Sequence, residues 1–171
     1  MIDIVGKIWG LIFGTIFLFL GPITLYAQKQ DVIVQNYVDS AVHEFVDISR
    51  STGTVTWSQY DALVKKLDNT GNIYDVQIVH YKMRTTPKAT STGTTTTLTY
   101  QDYYDAYNKN EILDGMDANG KYYMSYNDYF KVTIENTNTT LGRRLLGIFM
   151  MRPTSEGGQI FSSFGGKVGN D

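Results

Sequence analysis

Residues 8–26, IWGLIFGTIFLFLGPITLY, carry no charged side chain. Wound as a helix at about 1.5 Å per residue, this run reaches about 28 Å, close to the hydrocarbon thickness of a bilayer. The pattern then changes without a stop signal. From Ala27 to Ser49, apolar residues recur at helical spacing (Val34, Tyr37, Ala41, Phe45, Ile48) with polar and charged residues between them. The first break is Ser51-Thr52-Gly53. The sequence therefore predicts one long N-terminal helix over residues 1–53, transmembrane and then amphipathic, serving as the spine of a head that occupies 54–171. A signal peptide has a shorter apolar core, a basic start and a small-x-small cleavage site. Here Lys7 is the only basic residue before a longer run, and Thr24-Leu25-Tyr26-Ala27-Gln28 offers no such site, so a retained anchor is the expectation.

Composition narrows the remainder. Of 171 residues, 42% are hydrophobic and 19% charged, which suits one folded domain of about 145 residues beyond the anchor. A net charge of −2 without basic clusters argues against a nucleic-acid partner. Cysteine is absent, which excludes disulfides, thiolate metal sites and a thiol nucleophile. Charges flanking the anchor nearly balance (Asp3 and Lys7 before it, Lys29 and Asp31 after it), so orientation follows from the tyrosine- and threonine-rich head, which points to an extracytoplasmic location.

Along the chain, Pro22 removes a backbone donor and predicts a kink. Gly6-x-x-x-Gly10-x-x-x-Gly14 is a repeated small-x-x-x-small pattern that admits a second helix at close range. Thr56-x-x-Gln59 reads as a capping box opening a helix with Tyr60, Leu63, Val64 and Leu67 on one face, ended by Asn69-Thr70-Gly71. Residues 73–83 alternate as a strand, with Val76, Ile78 and His80 sharing a face. The threonine-rich run 85–97 reads as a solvated loop. Thr99-x-x-Asp102 opens a predicted helix carrying Tyr100, Tyr103, Tyr104 and Tyr107. Ala118-Asn119-Gly120-Lys121 predicts a hairpin turn between strands 122–126 and 129–135. Residues 141–150 read as a short helix with Leu141, Leu145, Ile148 and Phe149 inward, and 159–164 as a last strand before a frayed tail.

No catalytic pattern stands out. His43 and His80 lack partners at metal-ligand spacing, and both read as structural or surface residues. Asp114, Asp117 and Asn119 resemble half a calcium loop, but the glycine and glutamate in register are missing, so a turn is expected. There is neither a G-x-S-x-G elbow nor a phosphate-binding glycine loop. Arg143-Arg144 reads as a solvated helix face, and Asn138-Thr139-Thr140 is a formal glycosylation sequon. Tyrosine is enriched, with 13 residues, and clusters over 100–129 in a manner that suits contact surfaces.

A long helix, apolar and then amphipathic, leading into a small α+β head resembles the type IV pilin class. In particular it is similar to the minor, pseudopilin-like proteins associated with tight-adherence (Tad) pili. Gly14 and Pro22 stand where pilins often carry helix-loosening residues. The stretches EFVDISRSTG (44–53) and KKLDNTGNIYDVQI (65–78) resemble small exported proteins that accompany Tad-like secretion systems. The resemblance implies an α+β fold with the long helix packed on a small antiparallel sheet. It also implies a non-enzymatic, cofactor-free, single-pass membrane subunit that associates with itself or with similar subunits through Gly6, Gly10, Gly14, Pro22, Val34, Tyr37, Ala41, Phe45 and Ile48. The alternative is a membrane-tethered binding module or adhesin that does not polymerise.

Overall fold

The computed structural model describes residues 2–92, 95–150 and 160–169. Its first element, α1 (Ile2–Thr52), is one helix of 51 residues, about 75 Å long, and it continues through Pro22. The Thr24 hydroxyl donates to the carbonyls of Leu20 and Gly21 beside the proline, at 3.0 and 2.8 Å. α1 stops where Gly53 adopts a φ of +64°, a left-handed conformation that glycine takes without a Cβ penalty.

Short strand β1 (Thr54–Thr56) follows and leads into α2 (Trp57–Asp68). The capping box is formed: the Gln59 amide donates to the Thr56 hydroxyl, and the Thr56 amide donates to the Gln59 side chain. Leu63 and Leu67 are buried by α2, while Tyr60 and Val64 are half-buried. β2 (Tyr74–Thr92) and β3 (Thr95–Asn108) make a long antiparallel ribbon, and α3 (Lys109–Asn119) and β4 (Lys121–Tyr123) come next. β5 (Tyr129–Asn136), α4 (Leu141–Met150) and β6 (Phe161–Lys167) complete the chain order. The main sheet has the order β3-β2-β5-β6, all antiparallel, and β1 pairs with β4 in a second, two-stranded sheet. The fold is thus α+β, with the long N-terminal helix laid across antiparallel strands. The core lies between α1 and the sheet: Val38, Ala41, Val42, Phe45 and Val46 meet Ile78, Phe130, Val132 and Ile134.

Several sequence expectations need correction. The threonine-rich run 85–97 is not a loop: its described residues are in strand, paired from Val79↔Asn108 out to Thr92↔Thr95. Residues 100–107 are strand β3 rather than helix. Threonine and tyrosine are strong strand formers, and the ladder supplies the backbone partners that an apolar core would otherwise have to justify. Gly120 does not turn a hairpin. It caps α3 in the left-handed conformation, φ 72°, and β4 pairs with β1 instead of β5. Asp114, Asp117 and Asn119 accordingly lie on α3, not in a turn, and Asp117 accepts a bond from the Trp57 indole at 3.2 Å. The tail does not fray at Gly165: β6 runs to Lys167 and Val168 is buried. On α4, Ile148 points outward rather than inward.

Candidate functional site

α1 divides into three surfaces. From Ile4 to Phe19 every residue is exposed, and a Cβ added at Gly6, Gly10, Gly14 or Gly21 would meet nothing within 4 Å. This part of α1 holds a stretch long and apolar enough to cross a bilayer, with only 6% of the window buried. A core helix of the same composition would be mostly covered.

The second surface faces the head. Ala41 and Phe45 are buried and Val34 is half-buried, but Tyr37 and Ile48 are not part of this seam, being 42% and 41% exposed. The seam is completed by Val38, Val42, Val46 and Ser49, which the reading of the amphipathic stripe passed over. Their spacing with Ala41 and Phe45 is itself helical, so the signal was present. Polar contacts pin the two ends. Gln35 pairs with the backbone of Phe161 at both the amide (3.0 Å) and the carbonyl (2.8 Å), and Arg50 Nε donates to the Lys167 carbonyl at 2.9 Å. These bonds occupy the outer edge of β6, which would otherwise be open to another strand. His43 stacks on Phe164, at 3.7 Å between ring centres.

The third surface is unpartnered. Val32 and Ile33 are 61% and 60% exposed and, with Leu25 at the end of the apolar run, form an apolar patch on the outside of the helix, whereas Ile48 borders the groove between α1 and α2. Gly14, Gly21, Leu25 and Val32 follow one another at steps of seven, four and seven residues, which keeps them on one side of the helix.

Near the boundary of the apolar run, α4 docks against α1. The buried Thr140 hydroxyl donates to the buried carboxylate of Asp31 at 2.8 Å, and the Thr140 carbonyl accepts from the Arg144 amide at 3.0 Å. Asp31 therefore sits at the N-terminal end of α4, where the helix dipole favours a negative charge. Gly142 permits this contact, because a Cβ there would collide with the Asp31 carboxylate and lie 3.1 Å from the Ala27 carbonyl.

Deeper in the head, His80 and Asp128 form a buried pair. His80 Nε2 lies 2.9 Å from Asp128 Oδ2, and Nδ1 lies 2.7 Å from the Tyr122 hydroxyl. Asp128 also accepts from the amides of Met83 (2.9 Å) and Ser125 (2.7 Å). Burial pushes the His80 pKa below its ordinary value and outweighs the opposing influence of Asp128, so the imidazole is neutral, donating through Nε2 and accepting the Tyr122 proton at Nδ1. The Tyr122 pKa is pushed up to about 12, first by burial and then by nearby Tyr107 and Asp128. Each member of the cluster is satisfied by the others, and together they tie β2, β4 and the 125–128 turn. His80 is therefore a structural histidine, as expected; sequence spacing alone could not have revealed Asp128, 48 residues away.

Asn138 likewise serves structure: its side chain accepts from the Ile73 amide at 2.9 Å and donates to Asn72 at 3.2 Å. Comparison with models of known protein families, with curated proteins and with solved structures gives no match.

Proposed function

We propose that this chain is a non-enzymatic, pilin-like subunit of a bacterial surface filament or Tad-like secretion assembly, held in the cell membrane by α1 with its head extracytoplasmic. The observation that carries the reading is the exposed apolar patch of α1 where the apolar run ends, formed by Leu25, Val32 and Ile33. Water is an unfavourable environment for an exposed apolar patch beside a membrane segment, and a neighbouring helix of a like subunit is the covering that a helical spine can find. The glycine steps below it suit close approach of helices within the bilayer. Cysteines placed at Val32 tested in membranes, together with negative staining of sheared cell-surface material, decide the matter. Cross-linked ladders and filaments support a polymerising subunit; uncross-linked single heads overturn it.

A second reading, a tethered adhesin, draws on the β2–β3 ribbon. Tyr81, Tyr104, Asn127, Tyr129 and Lys167 line a shallow hollow of about 330 Å³ on its flank, and Tyr100 and Tyr103 stand exposed nearby. That surface would serve binding in either case, so the filament test separates the two readings.

A further inference from the structure

The placement of α4 has a consequence for the membrane. Its first turn is fixed beside Asp31 and Ala27. In the other direction along α1, Gln35 is occupied by Phe161 of β6, so α4 runs back toward the N-terminus of α1. The burial of Thr24 and the partial burial of Gly21 and Leu20 mark its course, since every residue from Ile4 to Phe19 is exposed. With both helices rising about 1.5 Å per residue, Arg144 lies near the level of Ala27 and Ile148 roughly one turn deeper, inside the apolar run that ends at Tyr26. Arg144 is exposed and Ile148 is 67% exposed, and at i and i+4 they share one outward face.

We infer that α4 is a second membrane-contacting element, an amphipathic helix that inserts its C-terminal turn into the same bilayer that holds α1 and places Arg144 among lipid phosphates. This rests on the reading that α1 anchors the chain. Lipid is the occupant favoured here because the exposed face is continuous with the membrane segment and is ordered by depth: cation at the headgroup level, aliphatic group below it. That is the arrangement expected of an interfacial helix, in which arginine reaches the headgroups while apolar side chains enter the acyl boundary. Two attachment points at the surface, α1 and α4, would fix the rotation of the head about the α1 axis, which a single helix leaves free.

The chain has no cysteine, so Ile148→Cys, Leu18→Cys and Thr90→Cys each provide a unique attachment point for an environment-sensitive fluorophore. The full-length variants are reconstituted in phosphatidylcholine–phosphatidylglycerol vesicles whose acyl chains carry bromine as a quencher. The expected result is strong quenching at positions 18 and 148 and none at 90, with most of the quenching at 148 lost when Arg144→Glu is added and a smaller loss in vesicles of phosphatidylcholine alone. Quenching at 18 but not at 148 overturns the proposal and leaves the anchor reading standing. Absence of quenching at both overturns both. A label at 148 that is shielded from bromine yet cross-links to a second copy also overturns it, in favour of a protein contact. Hydrogen exchange on the unsubstituted chain gives a reading free of substitutions: α4 amides must slow in vesicles relative to micelles of a short-chain detergent, and equal rates count against insertion.

Discussion

Removing the Asp31 carboxylate should release α4 from α1 while leaving the sheet intact. The Thr140 hydroxyl donates to Asp31 at 2.8 Å, both residues are buried, and Thr140 is the residue from which α4 starts. A hydrogen bond to a charged acceptor is worth about 1.5–3 kcal/mol, and a carboxylate at a helix N-terminus adds about 0.3–1 kcal/mol. Asp31→Ala should therefore weaken the docked state of α4 by about 2–4 kcal/mol, whereas Asp31→Asn, which keeps an acceptor and loses the charge, should cost about 1 kcal/mol. Hydrogen exchange by mass spectrometry on the detergent-solubilised chain resolves this locally, because 2–4 kcal/mol accelerates opening-limited exchange by about 30-fold or more. Peptides covering β2 and β5 serve as the internal standard and should not change. A double-mutant cycle with Thr140→Ala isolates the bond, with an expected coupling of about 1.5–3 kcal/mol. Effects that add to within about 0.5 kcal/mol, or α4 amides that keep their protection in Asp31→Ala, refute the assigned role.

Other outcomes follow from the same geometry. Phe45→Ala removes a buried ring that packs against Phe130, with centroids 6.1 Å apart, and should lower head stability by about 3–5 kcal/mol in a urea titration. Thr56→Ala removes the hydroxyl that accepts from the Gln59 amide, leaves the Thr56 amide bonded to the Gln59 side chain, and should cost about 1 kcal/mol, a loss that Thr56→Ser should largely avoid. The folded-state pKa of His80 lies below the unfolded value of 6.5, so the unfolded chain takes up the proton first: stability is full above pH 6.5 and falls as pH drops from there toward the folded value. Urea midpoints measured against pH should show that loss, and His80→Gln should flatten it. Gly14→Ala with Pro22→Leu should leave the head folded, since a Cβ at Gly14 meets nothing within 4 Å. In a polymerising subunit the double change should lower filament yield, and wild-type yield by negative staining refutes a role for this weak point of the helix.

How much of this was legible depended on whether burial had written a pattern into the sequence. α1, α2 and β5 each bury one face, and their periodicity places them to within a residue or two. From Arg84 outward in β2 and up to Tyr104 in β3 the described side chains are exposed on both faces, so no apolar alternation marks the ribbon there, and Tyr100, Tyr103, Tyr104 and Tyr107 happen to fall at helical intervals. Only strand propensity and a long-range ladder decide there, and the ladder cannot be read locally. Asn119-Gly120 was ambiguous because a hairpin turn and a helix C-cap both want a left-handed residue. Ile112 and Met116, buried four residues apart, were the upstream clue to the helix. At Gly165 a Cβ would come within 2.7 Å of the Phe130 carbonyl, so glycine there reflects close packing of β6 on β5 rather than a frayed end. The surfaces of α1 were legible in part: the stripe was found, but its centre was misplaced by including Tyr37 and Ile48. For a helix that has one face on its own head and another open, periodicity reports the sum of the two.

That summed pattern bears on how the two functional readings relate. α1 lies against β6 and β5, and its Gln35 and Arg50 side chains occupy the outer edge of β6. The opposite edge strand, β3, pairs only with β2 among the described residues, carries exposed Tyr100, Tyr103 and Tyr104, and is separated from β5 by β2. Edge strands left open invite pairing unless charge or twist discourages it. β3 has such a guard in Asp102 and Asp105, the second of which is paired with Arg84 across the ribbon. The unpartnered apolar patch and the polar-guarded edge are therefore on different sides of the head. Association through α1 would leave β3 and the tyrosine-lined hollow facing solvent, so a filament built on the spine would still present every ribbon outward. If the chain both polymerises and binds a ligand, the two would draw on separate surfaces, and disabling the α1 patch at Val32 should leave binding at Tyr104 untouched.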